Sequence, residues 1–181
     1  MPKREVDYAH YVPQLVQAFG SGGALLTSVD ENGKANPMTI GWGTIGIIWS
    51  RKLCTVMVRP SRYTYKCIEA TGDFTVNLPY PELRSVADFC GTRSGRDYDK
   101  FEECNITPHE SADITSPGIN ECGVIWECKV MYHNDINTGD MLPELATMVY
   151  AGGDIHRIYY GLVRRCIADD DFEQRFEGQG W

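Results

Sequence analysis

A chain of 181 residues can bury one substantial core, and a formal net charge of −8 argues against nucleic acid or an acidic membrane surface as its main partner. Hydrophobic residues at 43% and charged residues at 23% give the balance of an ordinary globular protein. Any anionic ligand must therefore be held by a local cluster of cations.

No apolar run follows the basic residues of Met1-Pro2-Lys3-Arg4, so we expect no secretory leader. The uncharged run of residues 36–50 is shorter than the roughly 20 apolar residues of a membrane span and holds four glycines or prolines. The expectation is a soluble protein. Seven cysteines without a Cys-x-x-Cys pair suggest reduced thiols in a cytoplasm, mostly acting as small core hydrophobes.

Residues 11–19 read as a short helix ending at Gly20, and residues 24–29 as a strand. Asp30-Glu31-Asn32-Gly33-Lys34 carries an Asn-Gly turn signal, so the next strand returns antiparallel. That strand enters an uncharged, glycine-seeded stretch from Asn36 to Trp49. Counting by twos puts Thr39, Gly41, Gly43 and Ile45 on one face. Two successive glycines there either let a ligand approach the backbone or mark a barrel corner, and the residues favour neither.

Residues 53–58 form the third strand. Pro60 stops it, and Ser61 is a good N-cap for a helix through residues 63–70. A helix N-terminus offers free N–H groups and partial positive charge, and Arg59, Arg62, Ser61 and Thr64 add donors around it. It reads as an anion pocket or as a capped surface helix. An apolar wall beside an anion pocket is what a flavin mononucleotide would need.

Further on, residues 73–78 are a strand closed by Pro79, and residues 83–90 a helix closed by Gly91. Residues 92–101 read as a solvated loop with three cations. Residues 124–132 form a strand with Glu127 and Lys129 on its exposed face, and residues 134–151 an excursion of poorly defined structure. The last strand covers residues 155–166, and the acidic tail, residues 167–181, is expected to be mobile or packed on a partner. Few short helices among hairpin-spaced strands give a mainly β chain with inserted helices, forming one domain around a core of about residues 24–166. His10, His109, His133 and His156 show no metal-ligand spacing.

Asn36-Pro37-Met38-Thr39 with Trp42, Arg59-Pro60-Ser61-Arg62-Tyr63-Thr64-Tyr65, Phe74-Thr75-Val76-Asn77, and Ser94-Gly95-Arg96-Asp97 with Lys100 together resemble the flavin reductase-like family, most of all its flavoredoxin branch. The resemblance runs from about Ala24 to about Val163. It implies an FMN-binding split β-barrel, usually a homodimer. It also implies that Asn36, Met38, Thr39 and Trp42 flank the isoalloxazine. Arg59, Ser61, Arg62, Tyr63 and Thr64 would take the ribityl chain and phosphate, with Ser94, Gly95 and Lys100 closing over the phosphate. Asn77 would sit beneath the ring or serve as a strand-end hydrogen bonder.

Many members of the family carry Gly-Asp-His beside the nicotinamide. Here the segment is Gly153-Asp154-Ile155-His156, one residue longer, which leaves Asp154 and His156 as weak nicotinamide-site candidates. His156 on an apolar face equally suits a hydrogen-bonded core histidine, and His133 is the other histidine within reach of the flavin. Two functions are implied: an oxidoreductase moving hydride from NADH or NADPH onto FMN and on to free flavin or another acceptor, and an FMN electron carrier reduced by a redox protein partner. Loss of the Lys100 and Arg62 cations is expected to weaken FMN more than riboflavin.

Overall fold

The computed structural model describes residues 2–177. After a short edge strand β1 (Lys3–Glu5) and helix α1 (Val12–Ser21), the chain forms the hairpin β2 (Ala24–Val29) and β3 (Ala35–Ile40). Asp30 sets the turn, its Oδ1 accepting from Asn32 N and Lys34 N, both at 2.9 Å. There follow β4 (Gly43–Ile48), β5 (Arg51–Val58), α2 (Tyr63–Thr71), β6 (Asp73–Leu78), α3 (Arg84–Thr92) and α4 (Lys100–Glu103). A small hairpin, β7 (Pro108–His109) and β8 (Gly118–Ile119), precedes β9 (Val124–Asp135), α5 (Pro143–Tyr150), β10 (Arg157–Asp169) and α6 (Phe172–Glu177).

The main sheet runs β3-β2-β6-β9-β10-β5-β4, every pairing antiparallel, with β1 on the far part of β10. Its two edge strands, β3 and β4, are consecutive in sequence and separated only by Gly41 and Trp42. Three peptide steps reach about 11 Å at most. Seven flat strands would hold those edges about 29 Å apart. The sheet must curl until its edges meet, and the fold is a barrel with a seam at Gly41-Trp42.

The expected single strand through residues 39–45 is thus two strands at opposite edges. The glycine question has a separate answer at each position. A Cβ on Gly43 would lie 2.6 Å from Thr55 O and 3.0 Å from the Phe19 ring, so this glycine serves the barrel corner. Gly41 lines a cleft.

Leu26, Met38, Val56, Phe74, Val76, Trp126 and Tyr159 belong to the main core, and Trp126 Nε1 donates to Tyr8 O at 2.9 Å. A second cluster under α3 and α4 joins Leu25, Val86, Ala87, Phe101 and Ile119.

Three further expectations change. Glu127 is buried, because the loop over residues 111–116 covers that face and Ala112 N and Asp113 N donate to its carboxylate. Asp73 grips the same loop through Thr115 N and Ser116 N. Residues 134–151 hold a 3-10 turn (Thr138–Asp140) and α5, with a proline in the first turn of that helix. The tail folds back on its own chain. β10 runs to Asp169, and Phe172 and Phe176 are buried, with Phe172 4.7 Å from the Tyr11 ring. Asp169 accepts from Tyr80 Oη at 2.9 Å and Lys3 Nζ at 2.8 Å. Residues 178–181 of the expected tail lie outside the described residues.

Candidate functional site at the barrel seam

Two adjoining clefts open along the seam and share Met38 and Arg62. One is walled by Met38, Thr39 and Ile40 from β3, Gly41 and Trp42 from the crossing, Met57 and Arg59 from the β5 end, and His156. The other lies against the start of α2, between Asn36, Ser61, Tyr63 and Thr64 on one side and the Thr92–Arg96 segment on the other. Among the described residues no carboxylate lines either cleft, although the chain carries 25 Asp and Glu.

The α2 end is built for an anion. The helix begins at Tyr63, one residue later than a Ser61 cap would place it, and no side chain caps it. Tyr65 N donates to Arg62 O, while the N–H groups of Tyr63 and Thr64 keep their capacity for a ligand. Arg62, Arg93, Arg96 and Lys100 line this end. The loop expected to be solvated is tied down: Ser94 O accepts from Asp97 N and Tyr98 N, and Arg96 Nη1 donates to Ser61 O at 3.2 Å. The Arg96 guanidinium also lies 5.4 Å from the Tyr63 ring centroid.

Gly95 and Asn36 form a cradle. A Cβ on Gly95 would lie 1.9 Å from Asn36 Oδ1, so only glycine lets the loop approach. Asn36 Nδ2 donates to Thr64 Oγ1 at 2.9 Å, while its buried Oδ1 finds no partner among the described residues. A buried polar atom left unpaired beside a cleft is suited to a ligand donor.

Lys100 occupies a different place from that expected. It sits in the wall, 3% exposed, with Nζ donating to Pro37 O and Cys90 O, each at 2.9 Å. Two of its three protons hold β3 to α3, and burial lowers its pKa. It brings positive charge to the cleft from beneath.

Ser61 and Arg59 are held by the loop before β10. Asp154, with a left-handed φ of 54°, accepts from Ser61 N and Ser61 Oγ, and its backbone oxygen accepts from Arg59 Nη1 at 2.9 Å. Burial alone would raise the Asp154 pKa, but the Ser61 hydrogen bonds and Arg59 hold it below the usual carboxylate value. The Tyr63 hydroxyl turns to Asp30 Oδ2 at 2.8 Å, and this bond pushes its pKa up to about 12. Thr39 Oγ1 donates to Ala87 O.

At the Trp42 end, apolar Met38, Ile40, Trp42 and Met57 share the wall with Thr39, Arg59, Arg62 and His156. Trp42 is 47% exposed, with its ring 5.0 Å from that of His156. His156 is both a cleft residue and a hydrogen-bonded buried histidine, its Nδ1 2.9 Å from Tyr150 Oη. Burial first, then Arg59, lowers its pKa to about 4, so the ring is neutral at physiological pH.

Two expected residues lie elsewhere. Asn77 is fully buried between strands, Nδ2 donating to Leu25 O and Oδ1 accepting from Ile119 N, each at 2.9 Å; it is a strand hydrogen bonder. His133 lies within β9, exposed, its ring 6.0 Å from Tyr159, and lines neither cleft. Sequence reading passed over Arg93, Arg96 and Met57 as ligand residues. The three-cation loop was the available signal for the arginines; Met57 looked like any strand residue.

A barrel closed at a two-residue seam, with a cation-lined helix start beside it, is the frame in which the family match falls. Residues 16–177 match the profile of the flavin reductase like domain, and the chain belongs to that family. A protein of uncharacterised function from Archaeoglobus fulgidus is 36% identical over 107 residues, 59% of each chain. One from Pyrococcus abyssi is 28% identical over 97 residues, 54% of this chain and 55% of its own. The match thus spans little more than half the length of these curated relatives. Among solved structures, the flavoredoxin of Desulfovibrio vulgaris (Miyazaki F) superposes with TM-score 0.67 at 22% identity, covering 82% of this chain and 70% of that one. An FMN-binding domain of a flavin reductases-like enzyme from Shewanella baltica OS155 gives TM-score 0.65 at 19% identity, covering 93% and 78%. The fold is the split barrel of flavin reductase-like FMN-binding domains.

Proposed function

We propose that the seam cleft holds FMN and that the protein is an oxidoreductase taking hydride from NADH or NADPH onto the flavin and passing electrons to free flavin or another acceptor. The observation that carries this reading is a pair of adjoining clefts that share Met38 and Arg62, one cation-rich and free of carboxylates, the other walled in part by Met38, Ile40, Trp42 and Met57. The orphaned Asn36 Oδ1 and the Gly95 cradle fit a ligand pressed between β3 and the Ser94 loop.

Arg62 and Arg96, with the first N–H groups of α2, hold the phosphate; charge-assisted hydrogen bonds of this kind are each worth roughly 1.5–3 kcal/mol. Ser61, Thr64 and Ser94 serve the ribityl hydroxyls, and Lys100 adds charge from the wall. Asn36, Met38, Thr39 and Trp42 position the ring and keep water from one of its sides. When bound, the flavin supplies the redox chemistry, and the chain supplies orientation and electrostatics.

The electron-carrier reading draws on a separate observation. Both nicotinamide-site candidates are already engaged, Asp154 by Ser61 and His156 by Tyr150. Reduction by a protein partner would need neither. A homodimer is supported by exposed Ile47, Trp49, Met131 and Tyr132, with Trp49 5.8 Å from the Tyr132 ring. Seven free cysteines support a reducing cytoplasm.

The test is spectroscopic. The purified protein should be yellow or should bind added FMN, and a colourless protein without FMN affinity sinks the reading. Stopped-flow mixing of the FMN form with NADH or NADPH then separates enzyme from carrier, since bleaching at catalytic rates belongs only to the first.

A further inference from the structure

Helix α5 turns apolar side chains in two directions. Inward, Leu145, Val149 and Tyr150 meet Trp42 and Met57 of the seam cleft across a shared hollow. Outward, Leu142 is 66% and Met148 77% exposed, with Leu145 partly exposed between them. The three follow one another at intervals of three, which puts them on one side of the helix and its N-cap. Large apolar side chains exposed together mark an interaction face.

Charge indicates what covers it. Residues 130–156 hold Asp135, Asp140, Glu144 and Asp154 and no lysine or arginine. Arg157 takes Asp135, and Ser61 takes Asp154. Asp140 and Glu144 are exposed, and neither pairs with a cation among the described residues. Arg59 is engaged beneath the helix end, half-buried, with its guanidinium 5.6 Å from the Tyr150 ring centroid and donating to Asp154 O. The outer face is therefore apolar with an acidic rim of one sign. A second copy docked symmetrically there would set that rim against its like, whereas the exposed Ile47 and Trp49 patch has Arg51 and Lys52 beside it.

We propose that the outer face of α5 is an electron-exit surface that docks a small redox protein whose exposed cofactor edge is ringed by lysines. A helix is about 10–12 Å across, so the partner would sit one helix thickness from Trp42. Each reduced flavin returns to FMN by releasing two electrons and one proton. The electrons reduce two one-electron centres in succession, and the proton passes to solvent. The exit role rests on the flavin reading above; the docking face does not.

Ferricytochrome c, a basic protein with lysines around its haem edge, is the probe. Its binding to the full chain is read by calorimetry at low salt, with and without FMN. Electron transfer is read by ferrous haem absorbance after anaerobic mixing with the chemically reduced FMN form. Glu144 is exposed and without a side-chain partner among the described residues, so Glu144→Lys leaves the fold intact. It should weaken cytochrome c binding at least about tenfold and slow electron transfer in step, with FMN affinity unchanged. Glu110→Lys makes the same change of net charge at an exposed residue just after β7, and should weaken binding less than about twofold. Met148→Ser should weaken it several-fold without altering its salt dependence.

Equal weakening by Glu144→Lys and Glu110→Lys overturns the proposal, because the attraction would then belong to the whole acidic surface. Electron transfer that stays fast in Glu144→Lys while binding weakens also overturns it, since the exit would lie elsewhere. So does a wild-type dimer that becomes monomeric in Met148→Ser, which would make the face a subunit contact. FMN binding without cytochrome c binding at low salt leaves the flavin reading standing and removes this one. Cytochrome c binding that depends on Glu144, without FMN binding, keeps the docking face, but the exit role falls with the flavin reading.

Discussion

The two ends of the seam cleft are a few residues apart and chemically opposed. Around the start of α2, arginines, hydroxyls and an uncapped helix turn face one space. Around Trp42, methionine, isoleucine, glycine and indole share the wall with Thr39, Arg59, a neutral histidine and the shared Arg62. Electrostatic attraction can select an anion at the first end, where Arg62, Arg93, Arg96 and Lys100 gather, whereas the second sets an exposed indole and apolar side chains beside its arginines. A ligand filling both must itself be divided, charged at one end and planar at the other. Met38 and Arg62 belong to both spaces and fix how closely its two parts are joined.

The contrast is broken most directly at the charged end. Replacing Arg62 and Arg96 together by alanine should weaken FMN by about 3–6 kcal/mol, roughly 10²–10⁴-fold, by calorimetric titration, with riboflavin affected far less. Equal losses would mean that the arginines do not hold the phosphate. Gly95→Ala comes next. Its new Cβ must displace Asn36 Oδ1, and overpacking of about 1–3 kcal/mol translates to about 5- to 150-fold weaker FMN binding. Unchanged affinity would show the loop to be adaptable.

Lys100→Ala sharpens the division between wall and pocket. It strands the Pro37 and Cys90 carbonyls, so stability in urea should fall by about 1–3 kcal/mol. Both FMN and riboflavin should weaken, FMN somewhat more because the wall loses one positive charge. A loss confined to FMN would restore the lysine as a direct phosphate ligand.

At the flat end the probe is pH. His156 stays neutral in the fold to about pH 4, while the unfolded chain takes up the proton near pH 6.5. Its contribution to stability is present above about pH 6.5 and is lost as pH falls toward 4. His156→Gln should therefore lose roughly 1–3 kcal/mol less than the parent between pH 7.5 and 4.5, by urea midpoints. Parallel loss in both proteins would contradict the buried neutral histidine. Smallest of all, Tyr63→Phe should leave FMN affinity unmeasurably altered, because that hydroxyl faces Asp30.

The hairpin and the strands at residues 24–29, 53–58 and 73–78 were legible because turn residues and prolines bracket short β-rich runs. The break at Gly41-Trp42 was not, since the alternation continues through it and only the opposite edges of the sheet reveal it. Glu127 alternates with Lys129 as a solvent face would; a loop far along the chain reverses its meaning. In the site, the residues named from the family resemblance lie around the two clefts except Asn77, which takes its other expected role as a strand hydrogen bonder; His133, read from its position after a strand, lines neither cleft. Side-chain direction on a strand depends on which sheet face the barrel turns inward, which alternation alone does not tell. Lys100 and Ser61 lay where expected along the chain, but backbone carbonyls and Asp154 had already taken up their hydrogen bonds.

The two-residue crossing at Gly41-Trp42 carries a consequence for the life of the molecule. Both clefts take walls from β3, and the one at Trp42 adds β5, so that cleft exists only after β3, at one edge of the sheet path, has come up to β5, next to the other edge. Such long-range closure comes late in folding. A ligand in the cleft bridges the same seam and holds it shut, adding about 2.7 kcal/mol at a hundredfold excess over Kd. Appearance of bound-flavin absorbance would then time the completion of the barrel, and its loss on warming would mark the first opening of the seam.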